Sequence, residues 1–224
     1  MRHRSNPVRI PLVALVFGAV AFSLSALAEE DNSSGLPDDY AKDYLVASET
    51  LSPDGNFVII YPKEDTDNAK NYLVALHPFA VLGALDTKWP YFKNENHGGL
   101  SAKWSDDGAV ALVTLDGKWG PRDIFVLELR DNKLARATNL LRKMHDLLLP
   151  SFRKAKASPY NDVFDFIFDT EEAPACILQD AKQVLIDAHA TTNPKGGEGR
   201  VWTAHLVATW DIAQARFTSQ KVTR

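Results

Sequence analysis

Ser52-Pro53-Asp54-Gly55, running into Asn56-Phe57-Val58-Ile59-Ile60-Tyr61, spells a tight corner followed by an extended apolar run. Gly tolerates the positive φ that such a corner demands, and Ser or Asp side chains bond the backbone around it. A second copy, Ser105-Asp106-Asp107-Gly108, runs into Ala109-Val110-Ala111-Leu112-Val113, and Gly55 and Gly108 stand 53 residues apart. Two such corners between apolar runs predict a mainly β chain of antiparallel sheets, built from two to three strand–turn–strand repeats.

Working outward from the first corner, residues 44–47 form a leading strand and residues 72–76 a third one. Residues 77–85 read either as one more strand or as a bent extension of the third. A polar loop over residues 86–99 then carries Trp89-Pro90-Tyr91-Phe92 and His97-Gly98-Gly99. The second unit repeats the order with strands over residues 100–104, 109–115 and 123–129, its last two separated by Gly117, Gly120 and Pro121. These runs are continuously apolar, which predicts strands covered on both faces.

Between residues 138 and 156 the period changes. Leu140, Leu141, Met144, Leu147 and Leu148 recur at three- and four-residue spacing, the stripe of one inserted α-helix. Thr138 or Asn139 serves as its N-cap, and Pro150 is expected to end or kink it. A less regular third unit follows. Phe164, Phe166 and Phe168 alternate with Asp165, Ile167 and Asp169 as in a half-buried strand. Gln179-Asp180-Ala181 stands where the earlier units have their corner. Trp202, Ala204, Leu206, Ala208, Trp210 and Ile212 alternate with polar neighbours in the cleanest strand pattern of the chain, and residues 217–222 read as a last edge.

The phrases Leu51-Ser52-Pro53-Asp54-Gly55-Asn56-Phe57-Val58 and Lys103-Trp104-Ser105-Asp106-Asp107-Gly108-Ala109-Val110 resemble the WD40-like blades of TolB-type β-propellers. The resemblance covers roughly residues 47–129, with a faint third copy near Asp180. It implies blade-like sheets and carries no chemistry. A closed propeller needs about four to eight blades of about 40–45 residues. Two clear copies and one faint one therefore predict an open stack of sheets, or a partial ring completed by a partner.

The chain opens with Arg2, Arg4 and Arg9, an apolar stretch over residues 12–24, and Ala26-Leu27-Ala28. That is the order of a secretory signal with small residues at its cleavage site. Residues 1–28 are thus read as a signal peptide, 29–43 as a flexible acidic leader, and 44–224 as a single β-rich domain, periplasmic or secreted. Left uncleaved, the segment is the one expected route to a membrane. Its removal takes three arginines and no acid, leaving a chain three charges more negative than the formal −4 of the whole. So acidic a chain is a poor partner for nucleic acid. Cys176 is the single cysteine, so no internal disulfide forms, and its apolar neighbours read as a small buried site.

Trp89, Tyr91, Phe92 and Trp119, with His97, are the candidate binding residues, because loop aromatics anchor partners or sugars. Packing between units is the competing explanation. His97-Gly98-Gly99 is similar to the oxyanion loop of esterases, but the Gly-x-Ser-x-Gly elbow such enzymes need is missing. Asp65-Thr66-Asp67-Asn68 with Asn71 lacks the central Gly and late Glu of a helix–loop–helix calcium site. His189 and His205 can face each other on neighbouring strands, read as two strand histidines rather than a metal pair. Arg142, Lys143, Arg153, Lys154 and Lys156 read as a solvated basic face. The expectation is an exported, non-catalytic binding or interaction protein with no cofactor or metal, presenting loops to a protein or envelope partner. The alternatives are a small envelope hydrolase using His97 with Asp106 or Asp107, and a structural subunit of an envelope assembly.

Overall fold

In the computed structural model, which describes residues 35–169, 175–195 and 201–223, the two acidic corners close the same ring of hydrogen bonds. Ser52 Oγ donates to Asp54 Oδ1 at 2.6 Å and accepts from the Phe57 amide at 2.8 Å. Ser105 Oγ donates to Asp107 Oδ1 at 2.6 Å and accepts from the Val110 amide at 3.0 Å. The same carboxylate oxygens accept from the amides of Asn56 and Ala109. Gly55 and Gly108 take φ of 73° and 66°, the left-handed backbone that suits Gly. Pro53 and Asp106 sit at the tip and expose their side chains. The signal-peptide segment, residues 1–28, and the start of the leader lie outside the described residues.

These corners sit inside two four-stranded antiparallel sheets, each wound in chain order. The first contains β1 (Tyr44–Val46), β2 (Phe57–Pro62), β3 (Tyr72–Leu76) and β4 (Phe79–Ala84). The second contains β5 (Gly99–Trp104), β6 (Val110–Gly117), β7 (Gly120–Arg130) and β8 (Lys133–Asn139). After the helix α2 (Leu140–Ala155) comes the third sheet: β9 (Ile167–Asp169), β10 (Cys176–Gln179), β11 (Gln183–Thr191), β12 (Thr203–Asp211) and β13 (Arg216–Thr223). There β9 and β10 pair with opposite ends of β11, so two short pieces share one edge. The sheets stay open, and no closed barrel or propeller forms among the described residues.

The second sheet lies in the middle. Val110, Leu112, Ile124 and Val126 pack against α2 and the third sheet, while Ala111, Val113, Leu115, Phe125 and Leu127 pack against Phe57, Ile59 and Leu73 of the first. A strand whose odd and even residues are both buried must be apolar throughout, which is why β6 and β7 show no alternation. β11 and β12 are covered on one face only, and there the alternation returns: on β11 Val184, Ile186, Ala188 and Ala190 are buried while Gln183, Leu185, Asp187 and His189 are exposed. No described helix is long and apolar enough to cross a membrane.

The helix α2 runs Leu140–Ala155 and buries Leu140, Met144, Leu148 and Phe152. Asn139 caps it by accepting from the Arg142 amide at 2.9 Å. Pro150 does not end it. The carbonyl that loses its donor belongs to Asp146, which is exposed to water, and the buried Leu148 and Phe152 hold the chain helical across the gap. The helix stops at Lys156, which takes the left-handed conformation.

Three further expectations are refined. Residues 77–85 resolve into a separate strand, β4, paired with β3. The alternating phenylalanines keep only a short strand, β9, because Phe166 turns into the core among Phe152, Phe168 and Trp202 before regular pairing begins. Within the stretch read as leader, α1 (Asp38–Ala41) places Tyr40 beside Phe79, and Leu36 packs with it over the outer face of the first sheet.

Candidate functional site

Asp123 organises the deepest chemistry on the surface. Its position on β7 buries the carboxylate beside the start of α2. Burial pushes its pKa above the ordinary carboxylate value, and two hydrogen bonds pull it partly back. One comes from Thr87 Oγ1 at 2.6 Å, the other from Asn139 Nδ2 at 2.6 Å. Thr87 Oγ1 in turn accepts from the Trp89 amide at 3.2 Å. The buried acid thus fixes both the cap of α2 and the loop that carries Trp89.

Around this anchor opens a cleft of about 460 Å³. One wall is the β6–β7 turn, where Lys118 and Trp119 form the two-residue loop between Gly117 and Gly120. The opposite wall is the first turns of α2, with Leu141, Arg142 and His145. Tyr160, Phe164 and Phe166 close it from the segment leading to β9, and Lys88 and Trp89 stand at its edge. Trp89 and Phe164 touch ring to ring at 5.1 Å, and His145 stacks on Phe166 at 4.6 Å.

Cations accompany the rings. Lys88 Nζ stands 4.5 Å from the Trp89 ring centre, and Lys118 and Lys195 lie 5.2 and 5.3 Å from that of Trp119. The exposed Arg142 guanidinium is 3.6 Å from the exposed Asp86 carboxylate, a pair water screens heavily. Arg122 is spoken for: its two terminal nitrogens grip both oxygens of Glu95, tying the 86–99 loop to β7. Positive charge at the cleft mouth therefore comes from Lys88, Lys118 and the water-screened Arg142, with Lys195 close by over Trp119. Planar aromatic walls with a cationic rim have the shape and charge to receive a flat apolar body bearing an acidic group.

No protein-family model matches the chain, and no curated protein matches it. The site is therefore argued from its geometry.

The structure gathers some of the expected residues and separates others. Trp89 and Trp119 share the cleft. Phe92 lines a second, more polar groove that also contains Asp65, Thr66, Asp67 and Glu95 and meets the cleft at Lys88 and Trp89. Tyr91 packs into the core against Tyr61 at 5.0 Å, and burial raises its pKa. Both oxygen and nitrogen of the Asn71 side chain bond the Tyr91 backbone, at 2.9 and 2.8 Å, so this buried amide clamps a loop.

His97 is exposed, with φ of 61°, in the turn before β5. It and Asp106 or Asp107 stand at opposite ends of β5, separated by about 20 Å of strand. The hydrolase alternative therefore has no assembled site at those residues. Asp107 is also committed to Ser105, which lowers its pKa along with the Ala109 amide. Cys176 is buried, its thiol pushed up to about 12 by desolvation, with Sγ 3.8 Å from Met144 Sδ.

Sequence reasoning left out Tyr160, Phe164, Arg142 and His145. In the sequence Arg142 reads as part of a solvated basic face and Phe164 as one beat of a strand.

Proposed function

We propose that the protein is an exported, non-catalytic binding protein whose ligand sits in the cleft between the β6–β7 turn, α2 and the 160–168 segment. The observation that carries this reading is the pairing of stacked aromatic walls with a cationic rim in one cavity of about 460 Å³. A cavity of that size suits a small molecule. The ligand class it fits is a planar aromatic or heteroaromatic body with a carboxylate, sulfonate or phosphate. Export rests on the Arg2-to-Ala28 segment and is tested by cell fractionation.

Support also comes from how the ionisable groups facing the cleft are engaged. Asp123 spends its oxygens on Thr87 and Asn139, and His145 lies against Phe166 with Asp165 3.5 Å from its Nε2. These partners build walls and hold loops.

The test uses 8-anilinonaphthalene-1-sulfonate, an aromatic sulfonate, titrated into the folded protein with fluorescence readout. The reading expects saturable binding of one molecule per chain that weakens with salt. Trp119→Ala, a change at a turn tip, is expected to weaken binding at least about tenfold, the loss of one stacked ring. Saturable binding that Trp119→Ala and Arg142→Ala leave untouched would place the ligand elsewhere and overturn the reading.

A further inference from the structure

The outer face of the third sheet carries a second constellation, remote in kind from the cleft. His189 on β11 and His205 on β12 are direct cross-strand partners. Their rings stack with centres 4.2 Å apart and planes 6° from parallel. Asp187, two residues before His189 and so on the same face, holds His205 Nε2 through Oδ1 at 2.6 Å. One ligand atom from each of the three lies within 4.8 Å of the others.

We propose that Asp187, His189 and His205 form a binding site for a first-row divalent cation of the zinc class. Two imidazole nitrogens and one carboxylate oxygen are a donor set this class prefers. A tetrahedral zinc site places its donors about 3.3 Å apart, from metal–ligand distances of about 2.0–2.2 Å. Reaching that spacing takes only side-chain rotation by groups that stand in solvent or half in it. The hydrogen bond between His205 and Asp187 occupies the space the ion takes, and binding displaces its proton to solvent.

The backbone beneath is fixed. Ala188, Ala190, Ala204 and Leu206 on the opposite face are buried in the core, so the three ligands ride on strands that cannot drift apart. Asp169 on β9 is the cross-strand partner of His189, adding negative charge to the same face. Beside the cluster stand exposed Ile177, Leu185 and Val207, paired as Ile177 with Leu185 and Val207 with Asp187. An apolar shoulder of this kind lowers the local dielectric and strengthens metal–ligand attraction. The fourth coordination position opens to water.

The experiment uses full-length processed protein without a histidine tag, stripped with chelator, and Zn2+ alone as the titrant in calorimetry. The expected result is one Zn2+ per chain, with affinity falling at least about tenfold in each of His189→Ala, His205→Ala and Asp187→Ala. His77→Ala and His97→Ala are expected to bind as the parent does. Imidazole resonances of the unaltered protein give an independent readout: Zn2+ is expected to shift those of His189 and His205 and to spare His77 and His97. No binding at micromolar Zn2+, or shifts confined to other histidines, would falsify the assignment.

Discussion

Each acidic corner works through one carboxylate oxygen. Asp54 and Asp107 each accept a Ser hydroxyl and a backbone amide two residues on, and both bonds favour the ionised form. Their pKa values accordingly lie below the usual 3.8, the Ser bond being the larger cause. Because the folded carboxylates hold protons less tightly than the unfolded ones, their stabilisation is present above pH 3.8 and is lost as pH falls through their lower folded values. Asp116 and Asp123, raised by burial, act in the opposite sense: their contribution exists below 3.8 and fades as pH rises past their folded values. The double variant Asp54→Asn/Asp107→Asn keeps each acceptor and removes the charge. Urea midpoints measured through the acid range are expected to fall less steeply for the variant than for the parent. Parallel curves would show that the corner carboxylates do not titrate with folding.

At the scale of the element, α2 is held at its start by a residue with two duties. Asn139 Oδ1 caps the Arg142 amide, and its Nδ2 donates to buried Asp123. Asn139→Ala is expected to cost about 1–3 kcal/mol, combining a lost cap with an under-satisfied buried carboxylate. Asn139→Ser restores a cap but not the bond to Asp123, so it is expected to recover only part of that loss in denaturant unfolding. Equal stability of the Ala and Ser variants would remove the cap from the account. The helix itself was legible: the stripe of Leu140, Leu141, Met144, Leu147 and Leu148 marks its apolar side, and Thr138 or Asn139 its start, of which the structure uses Asn139. Its passage through Pro150 was not, because propensity is local while the burial of Phe152 is tertiary.

The whole molecule depends on close approach between sheets. Gly120 has φ of 142°, and a Cβ there would stand 1.9 Å from the Phe168 carbonyl oxygen. Only a residue without a side chain lets the start of β7 meet β9, and that meeting shapes one wall of the cleft. Gly55, by contrast, faces open space. Gly120→Ala is therefore expected to destabilise by at least about 2 kcal/mol, whereas Gly55→Ala pays only the left-handed strain of about 1–2 kcal/mol. Thermal unfolding of the two variants side by side tests this, and equal shifts would refute the close contact. Arg136 adds a second tie, bonding Glu128 within its own sheet and the Ile212 carbonyl in the turn between β12 and β13.

The sequence by itself determined the β character, the two matched corners, the alternating face of β12 and the stripe of α2. Each is encoded within a few neighbouring residues, through turn chemistry or a period of 2 or 3.6. Only the tertiary structure decided which loops meet. Trp89, Trp119, Arg142 and Phe164 are far apart along the chain, and Asp187 joins two histidines through a strand register that no local pattern states. The physical reason is that burial and sheet register depend on the packing of whole layers. That packing sends Tyr91 into the core, leaves Trp119 at the cleft, and sets His97 and Asp106 at opposite ends of one strand.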